Sequence, residues 1–380
     1  MREGDHVLGR YTRRIATQPH TLIAQADPLC NLACSYCYLP FKIRRNPMSD
    51  EVAEAVARSA ADFASPGAPI DLVWHAGEPT TLGVPRFGRI IAPFEELRTE
   101  GLLRHFMQTN ATLIDDRWCE FLAEHEFRIG VSIDGPAALN RHRAAAGGRP
   151  AFPLIMKGID RLRSHGIGFS VIAVVTTESI THPEDLLDFF VSLGCASVGF
   201  NIEEQEGVNS ARPTPTFEQA VEFWRRTITW TRRNTGLTVR EVDRLGGYLR
   251  ARRTGDGWLS TLIDPIPTIS AAGDVVLLSP ELADTTAPAY DDFRAGNVLE
   301  QSIASMLENA RRLKYVDEFL TGLDRCEETC EFFGFCRGAQ AGNRYFETGR
   351  FDTTETSHCR VSKQALVVAL SDTVREEHAA

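Results

Sequence analysis

Six short β-rich runs alternate with helical patterns over the first two-thirds of this 380-residue chain. They are "TLIAQA" (21–26), "IDLVWH" (70–75), "LRHFMQT" (103–109), "RIGVSID" (128–134), "GFSVIAVV" (168–175) and "SVGFNI" (197–202). In the fourth, Ile129, Val131 and Ile133 alternate with polar or small residues, while "SVIAVV" is nearly continuous, as a strand buried on both faces would be. One intervening helix starts at Ser49, an N-cap residue followed by Asp50 and Glu51, with Val52, Val56 and Ala60 on one face. Another opens with Pro183, Glu184 and Asp185, with Leu186, Leu187, Phe190 and Val191 as its apolar side. Strand–helix repeats of this kind build a parallel sheet with right-handed crossovers, here a partial (β/α)6 barrel.

On such a sheet, reactive groups sit on loops at the C-terminal ends of strands. Four chemically rich segments fall there: "CNLACSYCYLP" (30–40), "HAGEP" (75–79), "QTNAT" (108–112) and "DGP" (134–136). The polar stretch 203–216 precedes a last barrel helix, "FEQAVEFWRRTITWTRR". A second region then holds a hairpin, "TISAAGDVVLLS", turning at Gly273-Asp274, and a cysteine-rich tail. The reading divides the chain into an N-terminal extension (1–19), a barrel (20–235) and a smaller cysteine-rich domain (236–380).

A formal net charge of −10 argues against a general nucleic-acid binder. No run of about 18 apolar residues suggests a membrane span, and the N-terminus lacks the apolar core of a secretory signal. The expected compartment is the cytoplasm, where disulfides are rare. There, clustered cysteines read first as metal ligands. Seven of the nine cysteines fall in two clusters, and for Cys119 and Cys195 the expectation is buried packing.

Cys30, Cys34 and Cys37 bring three soft thiolates to one loop. A structural zinc wants a fourth ligand close by, and none is near in sequence. Three ligands on a four-iron cluster instead leave one iron open to a substrate. In the tail, Cys326, Cys330, Cys336 and Cys359 form a Cys-x3-Cys-x5-Cys-x22-Cys set. Four cysteines close a site around either a [4Fe–4S] cluster or tetrahedral zinc, and spacing alone does not separate the two.

The Cys-x3-Cys-x2-Cys motif with Tyr36 before its last cysteine resembles the radical S-adenosylmethionine (SAM) superfamily. "WHAGEP" is similar to that superfamily's GGEP segment, with Ala76 and Gly77 at the two glycines. The resemblance implies that Glu78 takes the SAM amino group. "QTNAT" resembles the third-strand TNG segment, with Asn110 near SAM and Ala111 at the glycine. "VSIDGP" resembles the fourth-strand motif that sets Ser132 and Asp134 near SAM. Arg143 stands where related enzymes pair an arginine with the SAM carboxylate, so that a carboxylate and a guanidinium clamp an amino-acid zwitterion. A plainer reading makes Glu78 and Arg143 loop charges and Asp134 a turn-former before Gly135-Pro136.

The hairpin, "RAGNV" and the tail resemble the SPASM extension, which carries auxiliary iron–sulfur clusters. Ser279-Pro280 replaces its common Cys-Asp pair, and Gln340 stands at another cysteine position. These departures imply one auxiliary [4Fe–4S] cluster beside the SAM cluster, and the loss of the sulfatase-maturing relatives' base.

The segments "MSDEV", "VWHAGEP" and "GNRYFETGRFDTTETSHCR" resemble cyclophane-forming peptide maturases of the glycine-rich-repeat type. The implied activity is removal of a side-chain hydrogen, expected at Cβ, from a ribosomal precursor peptide, then a carbon–carbon bond to an aromatic ring. Glu203 and Glu204 are candidate bases, and a flavodoxin or ferredoxin is the expected electron donor. About 20 residues precede the first strand, too few for a leader-binding domain of ordinary size, so the leader is expected to bind elsewhere. Radical dehydrogenation of a small molecule such as an aminocyclitol stays open. So do thioether formation, formylglycine formation and epimerisation of a peptide, and a zinc-stabilised scaffold.

Overall fold

A computed structural model describes residues 9–40, 42–255 and 262–379. Residues 1–8 of the expected N-terminal extension lie outside them. All six expected strands form: β1 (Thr21–Ala24), β2 (Ile70–Trp74), β3 (Leu103–Thr109), β4 (Arg128–Ser132), β5 (Phe169–Val175) and β6 (Ser197–Ile202). Adjacent members pair in parallel from β1 to β6. The principal crossover helices are α1 (Asp50–Ala61), α2 (Val84–Ile91), α3 (Asp116–Glu124), α4 (Phe152–Ser164) and α5 (Pro183–Leu193), followed by α6 (Phe217–Arg233).

The local signals act as their chemistry requires. The Ser49 hydroxyl accepts from the Val52 amide at 3.1 Å and caps α1. Thr216 and Gln219 make a reciprocal capping box at the start of α6. Two expectations change. Val191 faces outward from α5, 46% exposed, while Leu186, Leu187, Phe190 and Leu193, with Pro183 at the start, make its buried side. In β5 only Phe169, Val171, Ala173 and Val175 are fully buried, and the residues between them are half-buried.

The sheet does not stop at six strands. A short β7 (Thr238–Val239) pairs with β6 and leads into α7 (Arg240–Thr254). The hairpin's first arm, β8 (Thr268–Ile269), runs parallel to β1, while β9 (Asp274–Val276) and β10 (Gly296–Asn297) continue antiparallel. The resulting order is β10-β9-β8-β1-β2-β3-β4-β5-β6-β7. The sheet therefore runs across residues 235/236, with β7 to β10 contributed by the later part of the chain. The remaining principal helices are α8 (Lys314–Thr329), α9 (Ala341–Thr348) and α10 (Ala365–Ala379). The tail folds back on the barrel, where Trp224 of α6 donates to the Val361 carbonyl at 3.0 Å. No described helix is long and apolar enough to cross a membrane. Cys119 and Cys195 are buried, as expected of packing residues.

Candidate active site at the barrel rim and the tail

The cysteine loop after β1 is fixed by its neighbours. Glu78 donates its amide to the Leu29 carbonyl at 2.8 Å, binding the β2 loop to the β1 loop. Gly77 has φ +83°, and a Cβ there would lie 2.2 Å from the Asp27 carbonyl oxygen, so this approach requires glycine. Ala76 (φ +64°) and Ala111 (φ +59°) keep the left-handed backbone at the two positions where the family motifs carry glycine.

Glu78 is buried, and its carboxylate is largely satisfied by the protein. Oε1 accepts from Thr80 N (3.1 Å), Thr80 Oγ1 (2.6 Å) and Thr109 Oγ1 (2.7 Å), and Oε2 accepts from Asn110 N (2.7 Å). Burial still pushes its pKa upward, against these bonds. Asn110 continues the network, donating to Asn31 Oδ1 at 2.9 Å within the cysteine loop.

Asp134 is a hub rather than a turn-former. Oδ1 accepts from Arg143 Nη2 and Val174 N, both at 2.9 Å, and Oδ2 accepts from the Tyr36 hydroxyl at 2.5 Å. The Arg143 guanidinium also lies 5.5 Å from the Tyr36 ring centre. Ser132 Oγ accepts from Gln108 Nε2 at 2.8 Å. The sequence-derived residues Tyr36, Glu78, Asn110, Asp134 and Arg143 are thus joined to the cysteine loop or to one another.

Two features suit the groups the motif implies. Burial pushes the Cys30 thiol up to about 12, with Glu78 adding to it, and burial raises Cys34 as well. Such thiols ionise when a metal holds them. Arg143 Nε is a buried donor with no partner, and an acceptor such as an amino-acid carboxylate would satisfy it.

In the tail, Cys326, Cys330, Cys336 and Cys359 line one cavity. Among the described residues, no three His, Cys, Asp or Glu side chains are grouped to hold a single metal ion. Thiolates around a four-iron core stand farther apart than those around one zinc, where Zn–S is about 2.3 Å. Four thiols lining one cavity are a donor set for a [4Fe–4S] cluster or for tetrahedral zinc. Burial pushes the Cys359 thiol up to about 12, and Arg344 Nη2 donates toward Cys326 Sγ at 3.4 Å.

The two candidate bases separate. Glu203 is held by Arg212 through Nε and Nη2. Glu204 Oε2 lies 3.1 Å from His358 Nδ1 and accepts from Asn343 Nδ2. Two further carboxylates, which the sequence reading did not single out, join it. Glu206 Oε1 is buried without a partner, and burial, then Glu204 and Glu281, push its pKa well above the usual carboxylate range. Glu281 accepts from the Ser279 hydroxyl at 2.5 Å and is raised by burial. A Cβ on Gly342 would meet Ser279 Oγ at 2.5 Å and Glu206 Oε1 at 3.4 Å, which places these groups around one point. Glu281 follows directly on Ser279-Pro280, so the available signal was a carboxylate one residue beyond the missing Asp.

These features define a cysteine-rimmed partial barrel with a second cysteine site in its tail. The chain belongs to the radical SAM superfamily, whose profile matches residues 28–190 and whose members use SAM with a [4Fe–4S] cluster. It is 32% identical over 370 residues to an uncharacterised protein of Synechocystis sp. (strain ATCC 27184 / PCC 6803 / Kazusa), covering 93% of this chain and 92% of that one. It is 24% identical over 356 residues to the serine-type anaerobic sulfatase-maturating enzyme of Bacteroides thetaiotaomicron, covering 87% and 84%. Among solved structures, native anSMEcpe with bound AdoMet and the Cp18Cys peptide matches with TM-score 0.74 at 20% identity, over 94% of this chain and 99% of that one. SuiB of Streptococcus suis bound to precursor peptide SuiA matches with TM-score 0.64 at 17% identity, over 94% and 79%.

Proposed function

We propose that this protein is a peptide maturase that joins a side-chain carbon, at Cβ, to an aromatic ring within a ribosomal precursor peptide. Cys30, Cys34 and Cys37 would hold the SAM-binding cluster, and Cys326, Cys330, Cys336 and Cys359 an auxiliary one. When bound, SAM and its reduced cluster supply a 5′-deoxyadenosyl radical, which takes a hydrogen atom from an unactivated carbon.

The chain's own groups would do the rest. Arg143, whose Nε has no partner, would hold the SAM carboxylate, and Glu78 would hold its amino group. Tyr36 and Asp134 hold the guanidinium in place. Ser132, Asn110 and the Ala76–Gly77 backbone complete the rim. Glu206, with Glu204 and Glu281 beside it, accepts the proton released when the ring regains aromaticity. Glu203 does not serve, because Arg212 holds both of its oxygens. An external flavodoxin or ferredoxin supplies the initiating electron.

One observation carries this reading: the loop after β6 touches both cysteine segments. Val208 donates its amide to the carbonyl of Tyr38, next to Cys37, at 3.1 Å. Glu204 pairs with His358, next to Cys359. An acidic loop between two cysteine sites suits a reaction that removes a hydrogen atom and then an electron and a proton. The sulfatase-maturating relative and the precursor-bound SuiB structure support a peptide substrate.

Glu281 favours a second reading, oxidation of a peptide serine or cysteine to formylglycine, since it restores a buried carboxylate beside the hairpin's missing Asp. The two are separated by treating the product of co-expression with a neighbouring small peptide with a hydrazide probe. A formylglycine aldehyde reacts, and a carbon–carbon crosslink does not.

A further inference from the structure

Arg344 is a buried cation whose surroundings are built for it. It is 2% exposed, and among the described residues no carboxylate pairs with it. Nη1 donates to the Phe351 carbonyl at 3.1 Å, and Nη2 to the Gly338 carbonyl at 2.9 Å and toward Cys326 Sγ at 3.4 Å. The guanidinium carbon lies 4.9 Å from the Phe319 ring centre. Gly322, in the middle of α8, makes the room: a Cβ there would lie 1.9 Å from Nη1. Glycine inside a helix costs about 1 kcal/mol relative to alanine, so this space is kept at a cost to the helix.

An uncompensated buried charge costs several kcal/mol, and neutral carbonyls do not cancel it. The groups beside Arg344 that become anionic when a metal holds them are the tail cysteines, with Cys326 Sγ 3.4 Å from Nη2 and Cys336 and Cys359 in the same cavity. We infer that Arg344 is the counter-charge of the four-cysteine centre and sets its reduction potential, making that centre an electron acceptor. Each electron added to a thiolate-held iron–sulfur core makes it one charge more negative. A cation fixed beside a ligand sulfur in a low-dielectric pocket favours that reduced form, and an N–H donor to the sulfur acts in the same direction. Gln364 adds a weaker contact, with Nε2 3.6 Å from Cys359 Sγ. The electron comes from the substrate after its hydrogen atom is gone, and the accompanying proton goes to the carboxylate loop.

The inference rests on reading the tail site as iron–sulfur, as proposed above. The test is a redox titration of the reconstituted two-cluster enzyme, followed by electron paramagnetic resonance, with the SAM-cluster midpoint as internal control. In Arg344→Met the auxiliary midpoint should fall by at least a tenfold shift in the reduction equilibrium, about 59 mV for a one-electron couple. The SAM-cluster midpoint should stay put, and Arg344→Lys should recover part of the shift. If Arg344→Met does not load iron, Gly322→Ala, which displaces the guanidinium without removing it, should lower the midpoint in the same sense. An unmoved midpoint in whichever of these variants retains its iron overturns the assignment. Parent enzyme holding only about four irons per chain, with none at the tail, overturns the iron–sulfur reading itself.

Discussion

Nδ1 of His358 lies 3.1 Å from Oε2 of Glu204. Through this pair the loop after β6 reaches the tail beside Cys359, while Val208 of the same loop reaches the residue after Cys37. Two cysteine sites distant in sequence are thereby joined by one short acidic segment, and Glu206 stands in it with an unpartnered oxygen.

Removing a ligand of the first site should stop the reaction at its first step. Cys34→Ala is expected to abolish SAM cleavage, measured as 5′-deoxyadenosine under anaerobic reduction. Cys336→Ala should retain cleavage while product falls. Normal product from Cys336→Ala would remove the tail centre from the reaction.

Glu206 should impose a pH dependence with a definite sign. Its pKa is raised by burial and by Glu204 and Glu281, so the folded chain binds this proton more tightly than the unfolded one. Its stabilising contribution is therefore full below the unfolded value, about 4.3, and is lost as pH rises through the folded value. Glu206→Gln should be more stable than the parent at pH 8 by about 1–3 kcal/mol, the cost of an unmatched buried acceptor, with a smaller gain at pH 5. Urea midpoints at the two pH values check this. As proton acceptor Glu206 acts only when ionised. Product formation should rise with pH in the parent and drop about a hundredfold in Glu206→Gln.

Asp134→Asn leaves the Arg143 guanidinium buried beside a neutral amide. A loss of about 3–5 kcal/mol is expected, as for breaking a buried ion pair from one side, together with weaker SAM binding. Equilibrium denaturation and SAM titration read the two effects separately. Unchanged values in both would mean that the pair neither supports the fold nor positions Arg143.

The two alanines at glycine positions give opposite outcomes from their neighbour. Ala111→Gly relieves a left-handed non-glycine residue and should stabilise by about 1 kcal/mol. Gly77→Ala drives a Cβ into the Asp27 carbonyl and should cost iron at the first site, seen as a reduced iron count after reconstitution.

Much of this was legible in the sequence because it is local. Alternating apolar residues placed the six strands, and Ser49 and Pro183 marked helix starts by capping and φ preference. The cysteine spacings marked the two segments proposed to hold clusters. What escaped depends on long-range pairing. Only two residues of β8 carry its match to β1, too few for a sequence signal. For Asp134 the sequence left a turn role open beside the place near SAM, because Tyr36, Arg143 and Val174 converge on it from three separate segments. Glu206, Glu281 and Arg344 gain their character from burial, and a lone Glu or Arg in a sequence reads by default as surface.

The central claim is tested most directly by anaerobic co-expression with a candidate precursor peptide, chosen from any small reading frames flanking the gene, followed by tandem mass spectrometry. The expected result is a loss of two hydrogens per modification, with no backbone fragments between an aromatic residue and the residue joined to it, and no reaction with hydrazide. A peptide of unchanged mass, one that gains oxygen, or one that fragments throughout and reacts as an aldehyde would contradict carbon–carbon crosslinking.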